Sequence, residues 1–430
     1  MMKRTILFVL LTVMSVVLLF SCEKKENLPQ EEWEKTQVRT VSMPTDFDIS
    51  SAIVSKNVAV DRSEKDDYDE EETLSSEICY VNLGEDGIAC TDKNGEPLPY
   101  AAVSVAGNVV VISRIGTYVV TGSLSDGRII VSSEDRIQLI LKGVDLRCAN
   151  APALETYGTG KKIVTLSKGT ENRLSDGEEN IGDGRAVVSA KSTLLINGKG
   201  KLSVEGNDNG ITASAVKIKD AAVSVNARGR AVDSASYLFV SDAALELTSK
   251  ESVMSAVKEI TVRNSVLTLS GGEIKGQDVA LEEDRVVFSG EGDGFVAERI
   301  FFTRKSTLKL SVKGDGIVAG SEGEEGIARF ADCTVVISDG DDGVKADYLS
   351  FLSGTLLCYG MGTQLNVKKG VESSADIKEV FLYEIVASGK TVGVGEISTL
   401  FDREWRTFSY VGKAADGCLY LDGEKYALLW

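Results

Sequence analysis

The chain has 430 residues and no histidine, and its 65 acidic against 47 basic side chains give a formal charge of −18. Without imidazole there is no Ser-His-Asp or Cys-His catalysis and no His-ligated zinc or haem, so any chemistry falls to carboxylates, Lys, Arg, Tyr, Ser or Cys. The negative balance argues against a nucleic-acid partner, whose phosphates call for clustered Lys and Arg, and favours cations or neutral or basic ligands.

In chain order, Lys3 and Arg4 precede an apolar run from Ile6 to Phe20 that is short for a membrane span and reads as an export signal over 1–21. It ends Leu19-Phe20-Ser21-Cys22, which resembles a bacterial lipoprotein box with Cys22 as the lipidated residue, although Phe20 is bulkier than usual there. An ordinary signal peptide with a chance cysteine is the alternative. Residues 22–76 are rich in Asp and Glu, densest over Asp61–Glu72. A segment so charged and so poor in apolar residues buries too little surface to offset its ordering entropy, and is expected to be a disordered tether. Export permits disulfides, Cys79 with Cys90 being the plausible local pair, and free buried thiols are the alternative.

Residues 77–146 alternate strands with Gly turns, as in Val109-Val110-Val111-Ile112 and Gln138-Leu139-Ile140-Leu141. A repeat follows over 147–360. A small or polar residue and then an apolar one recur at Gly210-Ile211, Ala231-Val232, Ser252-Val253, Glu273-Ile274, Gly294-Phe295, Gly316-Ile317 and Gly343-Val344, spaced by 21, 21, 21, 21, 22 and 27 residues. Seven residues beyond each anchor except Ile317, where Glu324 breaks it, a second column reads Ile218, Phe239, Ile260, Leu281, Phe302 and, in the last copy, Phe351. The period-two alternation of Val216-Lys217-Ile218 or Leu245-Glu246-Leu247 signals half-buried strands. Helical repeats usually need more than 30 residues and a propeller blade about 40, so a spacing near 21 predicts one solenoid coil per copy. The expected fold is all-β, a parallel β-helix in which Ile211, Val232, Val253, Ile274 and Phe295 stack as an interior ladder. Beyond 361 the period fails, and Val380–Tyr383, Phe408–Val411 and Cys418–Leu421 read as antiparallel strands of a cap that covers the solenoid end.

Several phrases have a family look: Gly116-Thr117-Tyr118-Val119-Val120-Thr121-Gly122-Ser123-Leu124-Ser125-Asp126-Gly127, Leu139–Leu146, Ala151-Pro152-Ala153-Leu154, Lys168–Gly177 and Asn207-Asp208-Asn209-Gly210-Ile211. In this order they resemble the bacterial carbohydrate-binding, pectate-lyase-like right-handed parallel β-helix family, over about residues 77–430, here as a lipoprotein of the Bacteroidetes type. The resemblance implies a noncatalytic glycan-binding surface protein, cellulose or acidic plant polysaccharide being the ligand class, with calcium in the structure. Family members tend to carry Asp-Gly-Ile at each coil. Here the middle coils read Arg230-Ala231, Glu251-Ser252 and Gly272-Glu273, and the pattern returns only at Asp293-Gly294, Asp315-Gly316 and Asp342-Gly343.

Asp293, Asp315 and Asp342 would fall at one position of three consecutive coils. Carboxylates stacked about 5 Å apart repel unless a cation intervenes, and Ca²⁺ takes six to eight oxygen ligands of this kind. They are the expected calcium ligands, with Asp339, Asp341 and Glu291 in support; the alternative is that Asp-Gly is an ordinary turn dipeptide with a solvated carboxylate. The acidic loop Asp176–Gly184 divides the same way, and Arg230 beside Glu251 reads as a surface ion pair. No Trp lies in the repeats, the three being Trp33, Trp405 and Trp430, so Tyr237, Tyr348 and Tyr359 are the aromatic candidates, as sugar platform or as core. The leading expectation is an exported lipoprotein of the outer membrane or cell surface, monomeric, touching the membrane only through its lipid and binding polysaccharide without cleaving it. A lyase or hydrolase using Arg299, Arg304 or Arg329 near bound calcium is one alternative. An adhesin that binds another protein is the other.

Overall fold

The computed structural model describes residues 33–35, 67–97, 102–178, 180, 185–360, 365–373, 381–387, 407–412, 418–421 and 424–427. The chain divides into Met1–Glu34, of which only Trp33 and Glu34 are described, and Lys35–Trp430. All regular structure among the described residues is β, and the strands of the second unit stack in parallel as a solenoid of about 11 turns. Each coil contributes strands to three columns, here called faces A, B and C.

Side chains along a strand alternate in direction, so each face offers one set of residues to the interior and one to the outside. On face A the inward ladder runs Tyr118, Leu139, Val164, Ile196, Ile218, Val240, Val262, Leu281, Thr303, Phe330, Phe351. The ladder of face B is Val110, Ile129, Leu154, Val188, Ile211, Val232, Met254, Ile274, Phe295, Ile317, Val344, Leu365. Face C stacks Leu124, Leu146, Leu174, Val204, Val225, Leu247, Leu269, Phe288, Leu310, Ile337, Cys358. These ladders merge into one continuous core. In the C-terminal half the core carries an aromatic series, Phe288–Phe295–Phe301–Phe330–Phe351, with ring centroids 5.2–6.5 Å apart.

The expected interior ladder is borne out at Ile211, Val232, Ile274 and Phe295 and corrected at Val253, where Met254 pairs with both Val232 and Ile274. The second expected column is not one ladder. Ile218, Leu281 and Phe351 face the core, whereas Phe239 and Phe302 stand in the outward row of face A. Ile260 stacks with Leu238 and Val279 one position away. The cause is the turn between faces B and A. Seven residues separate Ile211 from Ile218 and Ile274 from Leu281, but eight separate Val232 from Val240 and Met254 from Val262. A one-residue slip in a strand exchanges its two faces.

Coil stacking also reaches beyond the boundaries expected at 147 and 360. Ile78–Leu83 already pairs in parallel with Gly116–Leu124, and Leu365–Ser373 continues from Val344–Phe351. Antiparallel hairpins decorate the start, Ile78–Leu83 with Ala89–Thr91 and Val103–Ala106 with Val109–Ile112. At the other end Thr407–Gly412 pairs antiparallel with both Gly354–Gly360 and Phe381–Ala387. Cys79 and Cys90 are free thiols, because the hairpin sets Val81, not Cys79, opposite Cys90.

Candidate functional site

Face A differs from the other two in being apolar on both sides. Val119, Ile140, Ile163 and Leu195 are buried, yet none belongs to the interior cluster, and neither do Tyr237, Phe239, Ile300, Ile327 and Tyr348 farther along. They occupy outward positions of the column. Its central outward row reads Thr117, Gln138, Ile163, Leu195, Lys217, Phe239, Thr261, Ala280, Phe302, Arg329, Ser350. Polar donors thus alternate with apolar surface along the solenoid axis, one residue per coil at ~4.8 Å spacing.

Over the first coils this face is occupied by the chain itself. Residues 67–75 cross the strands from the coil of Lys217 back to that of Thr117. Asp67 accepts from the Lys161 ammonium at 3.0 Å and from that of Lys217, its side chain 2% and that of Lys217 1% exposed. Asn197 Nδ2 donates to the Tyr68 carbonyl at 2.8 Å, and Gln138 Nε2 to that of Asp69 at 2.7 Å. Glu70 accepts from the Ser167 hydroxyl at 2.7 Å and the Lys168 N–H at 2.9 Å. The N–H groups of Leu74 and Ser75 donate to Gln138 Oε1 and Thr117 Oγ1 at 2.9 and 3.0 Å. The segment expected as a tether over 22–76 is therefore bonded to the solenoid in its described part. The Asp67 carboxylate, which argued for solvation in isolation, meets Lys161 and Lys217, the second of which the alternation of Val216-Lys217-Ile218 had pointed outward.

Beyond Asp67 the face opens into a groove of ≈ 350 Å³. Phe239 forms part of the lining and Lys219, Arg263, Asn264, Asp242 and Glu282 surround it. The Lys217 ammonium sits 5.9 Å from the Phe239 ring centre, within cation–π range. Arg263 Nε lies 3.4 Å from Glu282, which also pairs with Arg304. Phe239 is only 5% exposed, so the charged and amide side chains around it carry the groove's capacity to hydrogen-bond a hydroxyl-rich ligand.

The expected site residues separate differently. Asp293, Asp315 and Asp342 do stack coil on coil: Asp293 Oδ1 accepts the Asp315 N–H at 2.8 Å and Asp315 Oδ1 the Asp342 N–H at 3.1 Å. The other oxygens of Asp315 and Asp342 are engaged too. Lys345 Nζ is 2.9 Å from Asp315 Oδ2, and Asn366 Nδ2 donates to Asp342 Oδ2 at 2.8 Å. The Asp315 contact, with Asp342 and Asp293 nearby, raises the Lys345 pKa. Asp341 is exposed, its N–H donating to the Gly314 carbonyl at 3.0 Å. Asp339 lies in strand Cys333–Gly340, its side chain outside those described. Among the described residues no three Asp, Glu or Cys side chains gather as a metal cluster. A donor set bridged by backbone N–H groups and an ammonium does not fit Ca²⁺, which takes six to eight oxygens.

Arg299 forks onto Asp278, an arrangement that raises its pKa through the hydrogen bonds, and Arg304 is held by Glu282. Arg329 stands in the outward row between Phe302 and Ser350. Asp176 is a clamp: it accepts the Asn207 N–H at 2.7 Å and the Asn180 amide, and burial raises its pKa. Residues 179 and 181–184 of that loop lie outside the described ones. Arg230 pairs with Glu251 at 3.6 Å, both exposed, and with the half-buried Asp233 at 3.2 Å, surface contacts of small energetic weight. Tyr237 and Tyr348 are outward but covered, and the Tyr359 side chain, Trp405, Trp430 and Cys22 fall outside the described residues. Burial pushes the Cys79 thiol to about 11 and Cys333 to about 12, and raises Cys358, so none offers a thiolate.

Comparison with known proteins meets this geometry in the first coils. Residues 106–277 match the model of a family described as carbohydrate-binding domain-containing protein. A protein of that description from Acetivibrio thermocellus is 30% identical over 135 residues, 29% of this chain and 47% of its own length, so the chain matches about half of that relative. Among solved structures, the polysaccharide lyase-like protein from C. thermocellum, in a gadolinium derivative, is similar at 17% identity and a TM-score of 0.34, over 69% of this chain and 97% of that one. The matched family region contains the outward row from Thr117 to Thr261.

Sequence reasoning missed Lys217, Lys161, Gln138, Asn197 and Asp67. For Gln138, Asn197 and Lys217 the signal was a polar residue inside an apolar stretch of a face A strand; in the same column Lys162–Leu166 and Tyr237–Ser241 are buried at every residue. A strand buried on both faces requires a cover.

Proposed function

We propose that the chain binds polysaccharide without cleaving it, the glycan lying along the outward side of face A with its best-formed contact at the Phe239 groove. The observation that carries this reading is the coincidence of the carbohydrate-binding family match, 106–277, with the coils that present the amphipathic row. The relatives' description supplies the ligand class, and face A supplies a surface of matching chemistry. Arg299 and Arg304, the cations nearest a lyase-type arrangement, are tied to Asp278 and Glu282, which supports a noncatalytic role. Anchoring through Cys22 at the outer membrane or cell surface completes the proposal, resting on Leu19-Phe20-Ser21-Cys22 alone.

The test is calorimetric titration with neutral and uronic-acid glycans, paired with absorbance at 235 nm and a reducing-end assay. Saturable binding without product release is expected, and Phe239→Ala should weaken it roughly tenfold, the scale of about 1.4 kcal/mol. Absence of saturation with every glycan, or accumulation of cleaved product, overturns the reading.

A further inference from the structure

We infer that the residues under the 67–75 segment are a second stretch of the same binding face, for a carboxylate-bearing polysaccharide, and that the segment is its internal competitor. The inference rests on the proposed function and assigns the site's extent and its regulation by the segment.

Each contact of the segment has the form that a linear acidic chain would make. It runs along the solenoid axis, across the strands, over an apolar strip that includes Ile163 and Leu195. Across four coils, in an order that doubles back between Asp69 and Glu70, it presents acceptor oxygens to outward donors: Asp67 carboxylate to Lys217 and Lys161, Tyr68 carbonyl to Asn197, Asp69 carbonyl to Gln138, Glu70 carboxylate to Ser167. Donors one coil apart match the rise of an extended glycan far better than they match a globular ligand. The ligand's charge follows from Lys217. Asp67 sets one carboxylate against both the Lys217 and Lys161 ammoniums, and a ligand that displaces it matches that exchange only by offering an anion to the same two lysines. A neutral chain cannot supply that anion, whereas a uronate carboxylate can.

The open groove and the covered row are continuous, because Lys217 and Phe239 are ladder neighbours and both line the groove. A short uronate oligomer can therefore fill the groove with the segment in place. A long polymer extends across Leu195 and Gln138 only by displacing it.

The experiment compares a uronate trimer, a uronate polymer and a neutral glucan on the full chain, reading affinity by calorimetry and hydrogen exchange at the Leu74 and Ser75 amides. In wild type, saturating polymer should accelerate exchange at both amides at least tenfold, while trimer and glucan leave them protected. Asp67→Asn with Glu70→Gln, which removes both anionic anchors, should tighten polymer binding roughly tenfold and tighten it more than trimer binding, because Lys217 lines the trimer's groove as well. The exchange arm uses wild-type protein and so stands even if the double variant folds poorly. Polymer that binds while Leu74 and Ser75 stay protected overturns the competitor and leaves glycan binding intact. Failure of every glycan to bind overturns both.

Discussion

Asp284 shows how one residue can set a pH response in a chain without histidine. It follows the corner residue Glu283, at the position held by Ser265 and Ser306 in adjacent coils, and its two oxygens accept the N–H groups of Ser265 and Glu282, each at 2.8 Å. Desolvation dominates over those bonds and lifts the carboxyl from 3.8 to about 7. An acid raised on folding keeps its proton in the native state to about pH 7, while the unfolded chain releases it near 4. Its contribution is thus greatest below pH 4 and is lost as pH rises through 7. Asp284→Ser, which installs the neighbouring coils' residue, removes the penalty. Urea denaturation from pH 4.5 to 7.5 should show wild type losing about 3 kcal/mol relative to the variant, the part of the ~4 implied by three units that falls inside that range. Parallel curves across that range would refute this assignment.

At the scale of the element, the corner after face A shows what the sequence disclosed and what it concealed. Asp220, Asp242, Asn264, Glu283, Lys305 and Asp332 occupy this corner in successive coils, all left-handed with φ between 45° and 62°. Asp and Asn tolerate this region, whereas Lys and Glu sit there at about 1–2 kcal/mol each. Lys305→Gly relieves that strain but loosens the unfolded chain by about 0.5–1 kcal/mol, leaving a net gain of roughly 0.5–1 kcal/mol. The lost pairing with Glu283, half exposed on both sides, subtracts little. A higher urea midpoint at unchanged slope is the expected result. Coil count and face B were legible because the 21-residue period and inward Val and Ile repeat in the sequence. The split of Ile218, Phe239 and Ile260 among three rows was not, since a one-residue change in turn length leaves composition untouched and exchanges the faces. Lys217 was likewise read as a solvent-facing member of Val216-Lys217-Ile218, because the cover that buries it comes from 150 residues away in sequence.

For the molecule as a whole, a formal charge of −18 raises the question of what neutralises the acid where coils stack. On this solenoid the repeat itself supplies many of the countercharges: Lys305 to Glu283, Arg304 to Glu282, Arg299 to Asp278 and Lys345 to Asp315 each join one coil to an adjacent one. Lys345 is the decisive case, because its ammonium lies in the field of Asp315, Asp342 and Asp293 together, where a bound divalent cation was expected. Melting of the wild-type chain should therefore coincide in chelator and in millimolar calcium. Lys345→Met keeps the aliphatic stem and deletes the charge, so three half-buried carboxylates are left to repel one another. That variant should melt several degrees lower in chelator and recover with calcium, since the freed Asp315 oxygen now favours a cation. A wild-type chain that itself melts lower in chelator would mean that calcium, not Lys345, balances the stack, and the account of Asp293, Asp315 and Asp342 given above would fall with it.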